Sequence, residues 1–428
     1  MKIWLIKIAE PDPIEGTQLG RTGELAEYLS RNGHDVTWWK STFHHGTKTL
    51  KYSKDTIKKY GDNEKVISLH SPVIYKKNIS LKRILFYFIL SIKFSKMAAK
   101  NEKPDIILSS WPSIFITYAA VKYGKKNKIP VVIDVRDYWP DIFEKSMPKP
   151  LAKILMKPLK YETGKIFKSA SGITAVQNTA LKWGCRYAAR VPSNYDRAFF
   201  IGIRRFELTG DKREELLEWW KNKGVTANTW NICFWGSLKH SGLDLSTVIK
   251  AVVRLEKKYP SIRLIIGGEG DSREYLEKIA GNSSAIIFAG YCNGYQMSTA
   301  MSISKVGVYS LINSEDFIDT VSNKAIQYMS GSLPVLNSLT GYMNKLLSEE
   351  NAGLSYKEGD VKDCISKIEY FYTHENERAL MANNASKLYT EMFFPDKINK
   401  EFETYLNHII DSYSIYNNTK KTNVKGKK

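Results

Sequence analysis

Short apolar runs of strand length alternate with helix-length segments along almost the whole chain, the signature of parallel sheets joined by crossover helices. The first series reads MKIWLIKI, helical GELAEYLSRNG and HDVTWW, then PDIILSS, helical IFITYAAVKYGKKNK, IPVVIDV and SGITAV. A second series opens at WNICFWGS and continues with helical LSTVIKAVVRLEKKYP, strand SIRLIIGGEG, helical SREYLEKIAG, strands AIIFAG and VGVYSL, helical NKAIQYMSG and strand LPVLNS. Between the two lies DKREELLEWWKNKG, helix-like and followed by no strand before Trp230. At 428 residues the chain is long enough for two such units. The pattern predicts an α/β protein of two Rossmann-like, doubly wound parallel-sheet domains. Expected boundaries are 1–195, 196–395, a closing helix over 396–415 and a disordered basic tail over 416–428.

Several classes fall away on composition. The longest apolar run, residues 84–90, is far short of the ~20 residues that cross a bilayer. The start, MKIWLIKIAEPDP, lacks the apolar core and small-residue cleavage site of a signal peptide and reads as a first strand, so a cytoplasmic location is expected. Cys185, Cys233, Cys292 and Cys364 form no CxxC pair and are expected as reduced core residues, with neither zinc site nor disulfide.

Charge is uneven. The chain carries 64 Lys and Arg against 44 Asp and Glu, a net +20. Residues 1–200 hold 35 basic and 17 acidic side chains, so +18 of that total sits in the first half, which is therefore expected to face something anionic. Nucleic acid is not the expected partner, because no nucleic-acid reader motif accompanies the charge. Between Tyr75 and Lys100 an apolar stretch is flanked by Lys76, Lys77, Lys82 and Arg83, which fits a helix packed on its domain with its cations at a membrane surface. Lys153, Lys157 and Lys160 are expected to add to that surface.

Open α/β sheets bind ligands beyond the carboxyl ends of their strands, which directs attention to the loops there. The first loop, AEPDPIEGTQLGRTGE, has Gly16, Gly20 and Gly23 but not the dinucleotide fingerprint GxGxxG, which disfavours a nicotinamide dehydrogenase. Its glycines could still bring backbone amides to a phosphate or sugar hydroxyl. His44 and His45 in STFHHGTK, with Lys48, follow the second strand. Arg136 and Asp137 end IPVVIDV; Asp137 could orient an acceptor hydroxyl, or cap a helix or pair with Arg136. Trp139, Trp183, Trp38 and Trp39 read as core or cleft-wall aromatics. No DxD occurs, so the aspartate pair that holds a divalent ion on a diphosphate is missing, and neither metal nor cofactor is expected.

Taken in order, PVVIDVRDYWPDIF, GSLKHSGLD, IRLIIGGEGD and NKAIQYMSGSLPVL resemble the GT-B glycosyltransferases, particularly family 4, and DVRDYWPD resembles its capsule and O-antigen members. The resemblance implies two Rossmann-like domains facing a cleft and transfer of a sugar, with retention, from a nucleotide-diphosphate donor such as a UDP-sugar. The implied acceptor is a saccharide or lipid-linked polysaccharide precursor at the inner face of the cell membrane. It places the donor on Gly16, Gly236, Ser237, Lys239, Gly268, Glu269, Asn323, Lys324 and Gln327, and the reaction near His44, Arg136, Asp137 and Asp319. The chain departs from the family where two glutamates eight apart become Asp319 and Gln327, where a histidine becomes Arg136, and where a basic diphosphate pair becomes Ser237 and Ser241. Lys239 and His240 are the nearby replacements. Two alternatives fit the same residues: a nucleotide-sugar 2-epimerase, and a non-catalytic partner in a capsule assembly complex.

Overall fold

A computed structural model describes the chain except residues 11–18, 46, 78–79, 145–147, 207–208, 240–241, 315–316 and 426–428, and except the side chains of 149–151, 153 and 416–425. It divides into two compact units. One holds the first strand, Leu19–Ile201 and Asp396–Lys428, the other Gly202–Pro395. Both are α/β, as the alternation predicts.

The first unit contains strands β1 (Lys2–Ile6), β2 (Asp35–Ser41), β3 (Phe43–His44), β4 (Thr49–Leu50), β5 (Thr56–Tyr60), β6 (Glu64–Leu69), β7 (Ile106–Trp111), β8 (Val131–Val135), β9 (Gly172–Ala175) and β10 (Asp196–Ala198). Eight of them form one sheet in the order β10-β9-β8-β7-β1-β2-β6-β5, parallel except for β5 against β6, while β3 and β4 pair antiparallel. The order reverses beside β1, where β2 lies on one side and β7 on the other. Strands β7 and β8 are buried along their whole length, so neither alternates apolar with exposed polar residues. On one face Trp4, Ile6, Trp39 and Ile107 meet helices α2 (Leu81–Ala98) and α3 (Ile114–Asn127); Trp39 lies edge-on to Trp4 and Phe94 at 5.0 Å. On the other, Ile3, Leu5 and Trp38 meet α1 (Arg21–Arg31) and the C-terminal helix.

That helix runs Pro395–Lys425, continuing through much of the segment expected as a disordered tail. Phe402, Tyr405, Leu406 and Ile409 recur at helical spacing and are buried in the first unit, with Phe402 stacked on Phe199 at 4.4 Å. The division at 201/202 also falls later than the expected 195/196, because β10 and the strand-like run to Phe199 belong to the first sheet's core.

The second unit contains β11 (Trp230–Trp235), β12 (Ile262–Gly267), β13 (Ile286–Gly290), β14 (Ser304–Tyr309), β15 (Val335–Asn337) and β16 (Gly353–Ser355), all parallel in the order β13-β12-β11-β14-β15-β16. Its reversal lies between β11 and β14. Helix Asn323–Ser330 packs close on the sheet because Gly307 has no side chain: a Cβ there would lie 2.2 Å from the Tyr328 ring.

Leu406→Ala tests whether the C-terminal helix is integral to the first unit. Truncating a fully buried leucine should cost about 2–5 kcal/mol, read as a lower denaturation midpoint in urea, whereas a helix merely resting on the surface would leave the midpoint unchanged.

Candidate functional site

In the second unit two glycine loops meet backbone to backbone at the carboxyl ends of the central strands. Gly236, at φ +139, follows β11, and Gly268, at φ +147, follows β12; a Cβ on Gly268 would lie 1.9 Å from the Gly236 carbonyl oxygen. The Gly236 amide donates to Gly267 at 2.9 Å, the Leu238 amide to Glu269 at 3.0 Å and the Gly268 amide to Gly290 at 2.7 Å. No other residue supplies both the positive φ and the missing side chain.

Lys324 lies against this junction. Its Nζ would be 2.7 Å from a Cβ on Gly236 and sits 4.6 Å above the Phe234 ring. Burial lowers its pKa to about 8, and no carboxylate pairs with it among the described residues. It occupies the second position of the helix Asn323–Ser330, where free backbone amides already favour an anion. Ala325, Ile326, Tyr328 and Met329 face the core, which leaves exposed Asn323 and half-buried Gln327, four apart, on the outer side with Lys324.

The remaining donor-side candidates scatter more widely. Ser237 and Lys239 are exposed on the loop after Gly236. The Glu269 carboxylate is tied to Arg273, whose Nε also donates to Glu277 at 2.8 Å. Asp319 is exposed on the loop before the helix, where a Cβ on Gly341 would approach its Oδ1 to 2.9 Å. Gly16, His240 and Ser241 lie outside the described residues.

The first unit gathers a different set. Asp134, fully buried in β8, accepts hydrogen bonds from Thr174 Oγ1 at 2.8 Å, from Arg21 Nη2 at 3.3 Å and from Arg136 Nε. Burial opposes its charge, but Arg136, Arg21 and Thr174 outweigh that and hold its pKa below the ordinary value. Arg136, expected to face the reaction, is therefore committed to Asp134, its neighbour two residues back. Asp137 does not pair with Arg136; it accepts from the Tyr138 amide at 2.8 Å. Burial raises its pKa, against the opposing pull of that amide, Lys7 and Arg83.

Lys7, just beyond β1, carries a pKa lowered to about 8 by burial and by Arg136. It was not singled out from the sequence, although its place after a central strand is the signal that could have found it. The helix start that follows is already occupied: Glu10 Oε1 accepts from the Gly23 amide at 2.8 Å, so a carboxylate of this protein stands where an external phosphate was considered.

Of the two histidines, His44 closes its own turn, with Nδ1 3.0 Å from the Thr47 amide and 2.9 Å from Thr47 Oγ1. His45 is the one that joins the cationic group. Its Nδ1 is 2.8 Å from Tyr75 Oη and 3.3 Å from Lys48 Nζ. An ammonium only donates, so Nδ1 accepts and Nε2 carries the proton. Burial, Lys48 and Arg83 push its pKa down to about 4. The guanidinium of Arg83 lies over Trp139 at 4.4 Å, with Tyr75 and Tyr87 at 5.5 and 5.6 Å. Lys76, Lys77 and Lys82 stand exposed nearby in sequence, whereas Lys160 is paired with Asp141 and Glu144 at 3.2 and 2.8 Å.

Two family models match the chain: Glycosyltransferase Family 4 over residues 21–193 and Glycosyl transferases group 1 over residues 218–388. Sulfoquinovosyl transferase SQD2 of Arabidopsis thaliana is 23% identical over 295 residues, covering 68% of this chain and 54% of that protein. An uncharacterized glycosyltransferase, MJ1607 of Methanocaldococcus jannaschii, is 23% identical over 214 residues, 49% of this chain and 53% of its own length. The chain thus matches about half the length of these curated relatives. Among solved structures, sucrose-phosphate synthase from Thermosynechococcus elongatus superposes with a TM-score of 0.68 at 14% identity, covering 96% of this chain and 99% of that one. Anabaena HepE in complex with UDP gives 0.63 at 14% identity, covering 95% and 100%. At that identity these two likenesses establish the fold.

The His45 environment has a direct readout. Its folded pKa lies below the ordinary ~6.5 of an unfolded chain, so the neutral ring contributes stability that is present above about pH 6.5 and lost as pH falls toward 4. In a histidine NMR titration its ring resonances should move only near pH 4; a midpoint near 6.5 would show that it does not sit against Lys48 and Tyr75.

Proposed function

The chain belongs to the GT-B glycosyltransferases and resembles family 4 among them, and on that footing we propose that its second unit binds a UDP-sugar and its first unit a lipid-linked saccharide acceptor. The observation that carries the donor half is Lys324, a desolvated cation without a carboxylate partner among the described residues, held against Gly236 at the start of a helix. A diphosphate would take its charge from Lys324, from the amides at the helix start and from the loop of Gly236 and Ser237. Asn323 and Gln327, on the same side of the helix, would meet the ribose or the sugar; the amide oxygen of Gln327 can accept from hydroxyls as the family glutamate does. The UDP and UDP-glucose complexes of HepE support uridine as the nucleotide.

For the acceptor half, Asp137 stands at the carboxyl end of β8, hydrogen-bonded by the Tyr138 amide and by the Trp139 side chain, and its raised pKa suits a group that orients or deprotonates an acceptor hydroxyl. The proposed reaction transfers the sugar with retention to a polysaccharide precursor of the capsule or O-antigen kind. Peripheral attachment to an anionic membrane follows from the charge of the first half and from helix α2. No helix among the described residues is long and apolar enough to cross a membrane. Yet α2 buries Phe86, Leu90 and Phe94 while leaving Leu81, Ile84, Leu85 and Phe88 exposed, with Lys82 among them.

Titration calorimetry with UDP and UDP-sugars tests the donor site. Lys324→Met should weaken UDP about 10- to 100-fold, the range expected for a lost hydrogen bond to a charged group. Lys324 is protonated below about pH 8, so wild-type affinity should fall as pH rises through that value, and the variant should lose this slope. Absence of UDP binding, or an unchanged variant, would overturn the donor assignment.

Sedimentation with liposomes tests the membrane surface. Binding should require anionic lipid, weaken steeply from low to physiological salt, and drop when Lys76, Lys77, Lys82 and Arg83 are all replaced by glutamine. Equal binding to neutral liposomes would remove the electrostatic account.

A further inference from the structure

A cavity of about 520 Å³ lies in the first unit between α1 and the turn that joins β5 to β6. Gly23, Glu27 and Ser30 line it from the helix, Tyr60 from the end of β5, Asp62 from the turn and Glu64 from the first position of β6. Asn63 ties the turn to the helix, its Nδ2 donating to the Ser30 carbonyl at 3.5 Å. The volume falls within the ~300–1,000 Å³ of small-molecule sites.

Glu64 is the unusual member of this set. It is only 6% exposed, and its Oε1 has no hydrogen-bond partner among the described residues. An unpaired buried acid is costly to keep ionised, and burial, with Glu27 adding to it, raises the Glu64 pKa to about 7. Glu27 and Asp62 stand exposed at the mouth, and among the described residues no cation pairs with any of the three. This happens in a half-chain that holds 35 basic side chains for 17 acidic ones. Arg31, the cation on the rim, is turned instead to Asp396 at 3.2 Å and to the Tyr28 ring. Lys59 and Lys65 belong to the other face of the sheet. Strands β5 and β6 pair Tyr60 with Glu64 and Lys59 with Lys65, so by the period of two the lysines project on the side of Trp4, where they line another cavity that shares the turn.

We infer that the cavity beside α1 binds a linear polyamine, with one ammonium on Glu64 and the others on Glu27 and Asp62. The spread of the acids selects that class over a metal ion. Among the described residues no three of them converge closely enough to hold a metal, whereas ammonium groups separated by methylenes can reach acids set along a groove. The Leu19 side chain, the bare backbone of Gly23 and the Tyr60 ring offer those methylenes a wall. An ammonium brings three donors and a full charge, so it satisfies Oε1 and favours the ionised carboxylate together. The net charge of +20 repels cations at a distance, which leaves local contacts of this kind as the source of any affinity. The inference stands apart from the donor and acceptor readings.

Spermidine, titrated calorimetrically into the full chain at pH 7, is the probe. The wild type should bind it, and Glu64→Gln, which keeps the size of the side chain and removes its charge, should weaken binding about tenfold or more. Glu27→Gln, at an exposed position on α1, should weaken it about two- to fivefold, and Glu377→Gln, exposed on the second unit, should leave it unchanged. Spermidine would displace the Glu64 proton, so titrations in buffers of different ionisation enthalpy should show release of about half a proton per spermidine, and none in Glu64→Gln. Wild-type affinity in Glu64→Gln, no binding at millimolar spermidine, or displacement of spermidine by an equal concentration of magnesium would each overturn the assignment.

Discussion

The buried cluster of Arg21, Asp134 and Arg136 fixes the chemistry that the first unit can present. Strand β8 is enclosed on both faces, and a carboxylate inside it is tolerable only when paired and hydrogen-bonded. Asp134 meets that condition with two guanidiniums and a hydroxyl. One of those guanidiniums comes from the start of α1, which also passes a hydrogen bond to the Phe200 carbonyl at 3.4 Å. The cluster thereby links the first helix, the centre of the sheet and the end of its last strand. It also leaves one positive charge in excess, and Arg136 helps depress Lys7. Removing Asp134 alone would strand two buried cations, a more severe change than removing all three charges together.

The second unit depends on sterics more than charge. Two loops here run almost backbone to backbone, and the Gly236 and Gly268 pair achieves this by dispensing with Cβ at positive φ. Gly270 continues the same logic, since a Cβ there would lie 2.1 Å from the Leu238 carbonyl oxygen. Gly267 admits the Trp235 ring from the neighbouring strand. Space, not hydrogen-bonding capacity, is what these positions supply, and Lys324 fills the part that remains beside Gly236.

The architecture was legible because both sheets are parallel apart from the edge strand β5, with their central strands buried: WNICFW and VVIDV are apolar runs that hardly any other environment explains. Glycine loops were legible too, since GGEG after a strand has few other uses. Ion pairing was not. Arg136 and Asp137 are adjacent in sequence and suggest a pair, but the true partner of Arg136 is Asp134, on the same side of the strand by the period of two. His44 and His45 could not be separated, because one residue of register decides which ring closes the turn and which meets Tyr75. Asp134 itself, a lone acid in an apolar strand, was the visible signal of a buried charge that the reading passed over.

Net charge and useful charge also separate on inspection. The surface lysines that make up most of the +18 act at a distance, and at physiological salt their reach is about 8 Å. They can bring the chain to an anionic surface but cannot define a site. Lys7 and Lys324 are the reverse case, one in each unit, each desolvated to a pKa near 8 at the carboxyl end of its sheet. Such a lysine is held poorly as a cation while its surroundings are empty, and an arriving phosphate restores what burial took away, raising the pKa and tightening the contact at the same time. A lysine already paired with a glutamate would gain much less from the same anion. On this argument the departure of Ser237 from the family's basic pair is compatible with the proposed diphosphate site: a buried cation with no acid beside it among the described residues responds more strongly to a phosphate than an exposed one does.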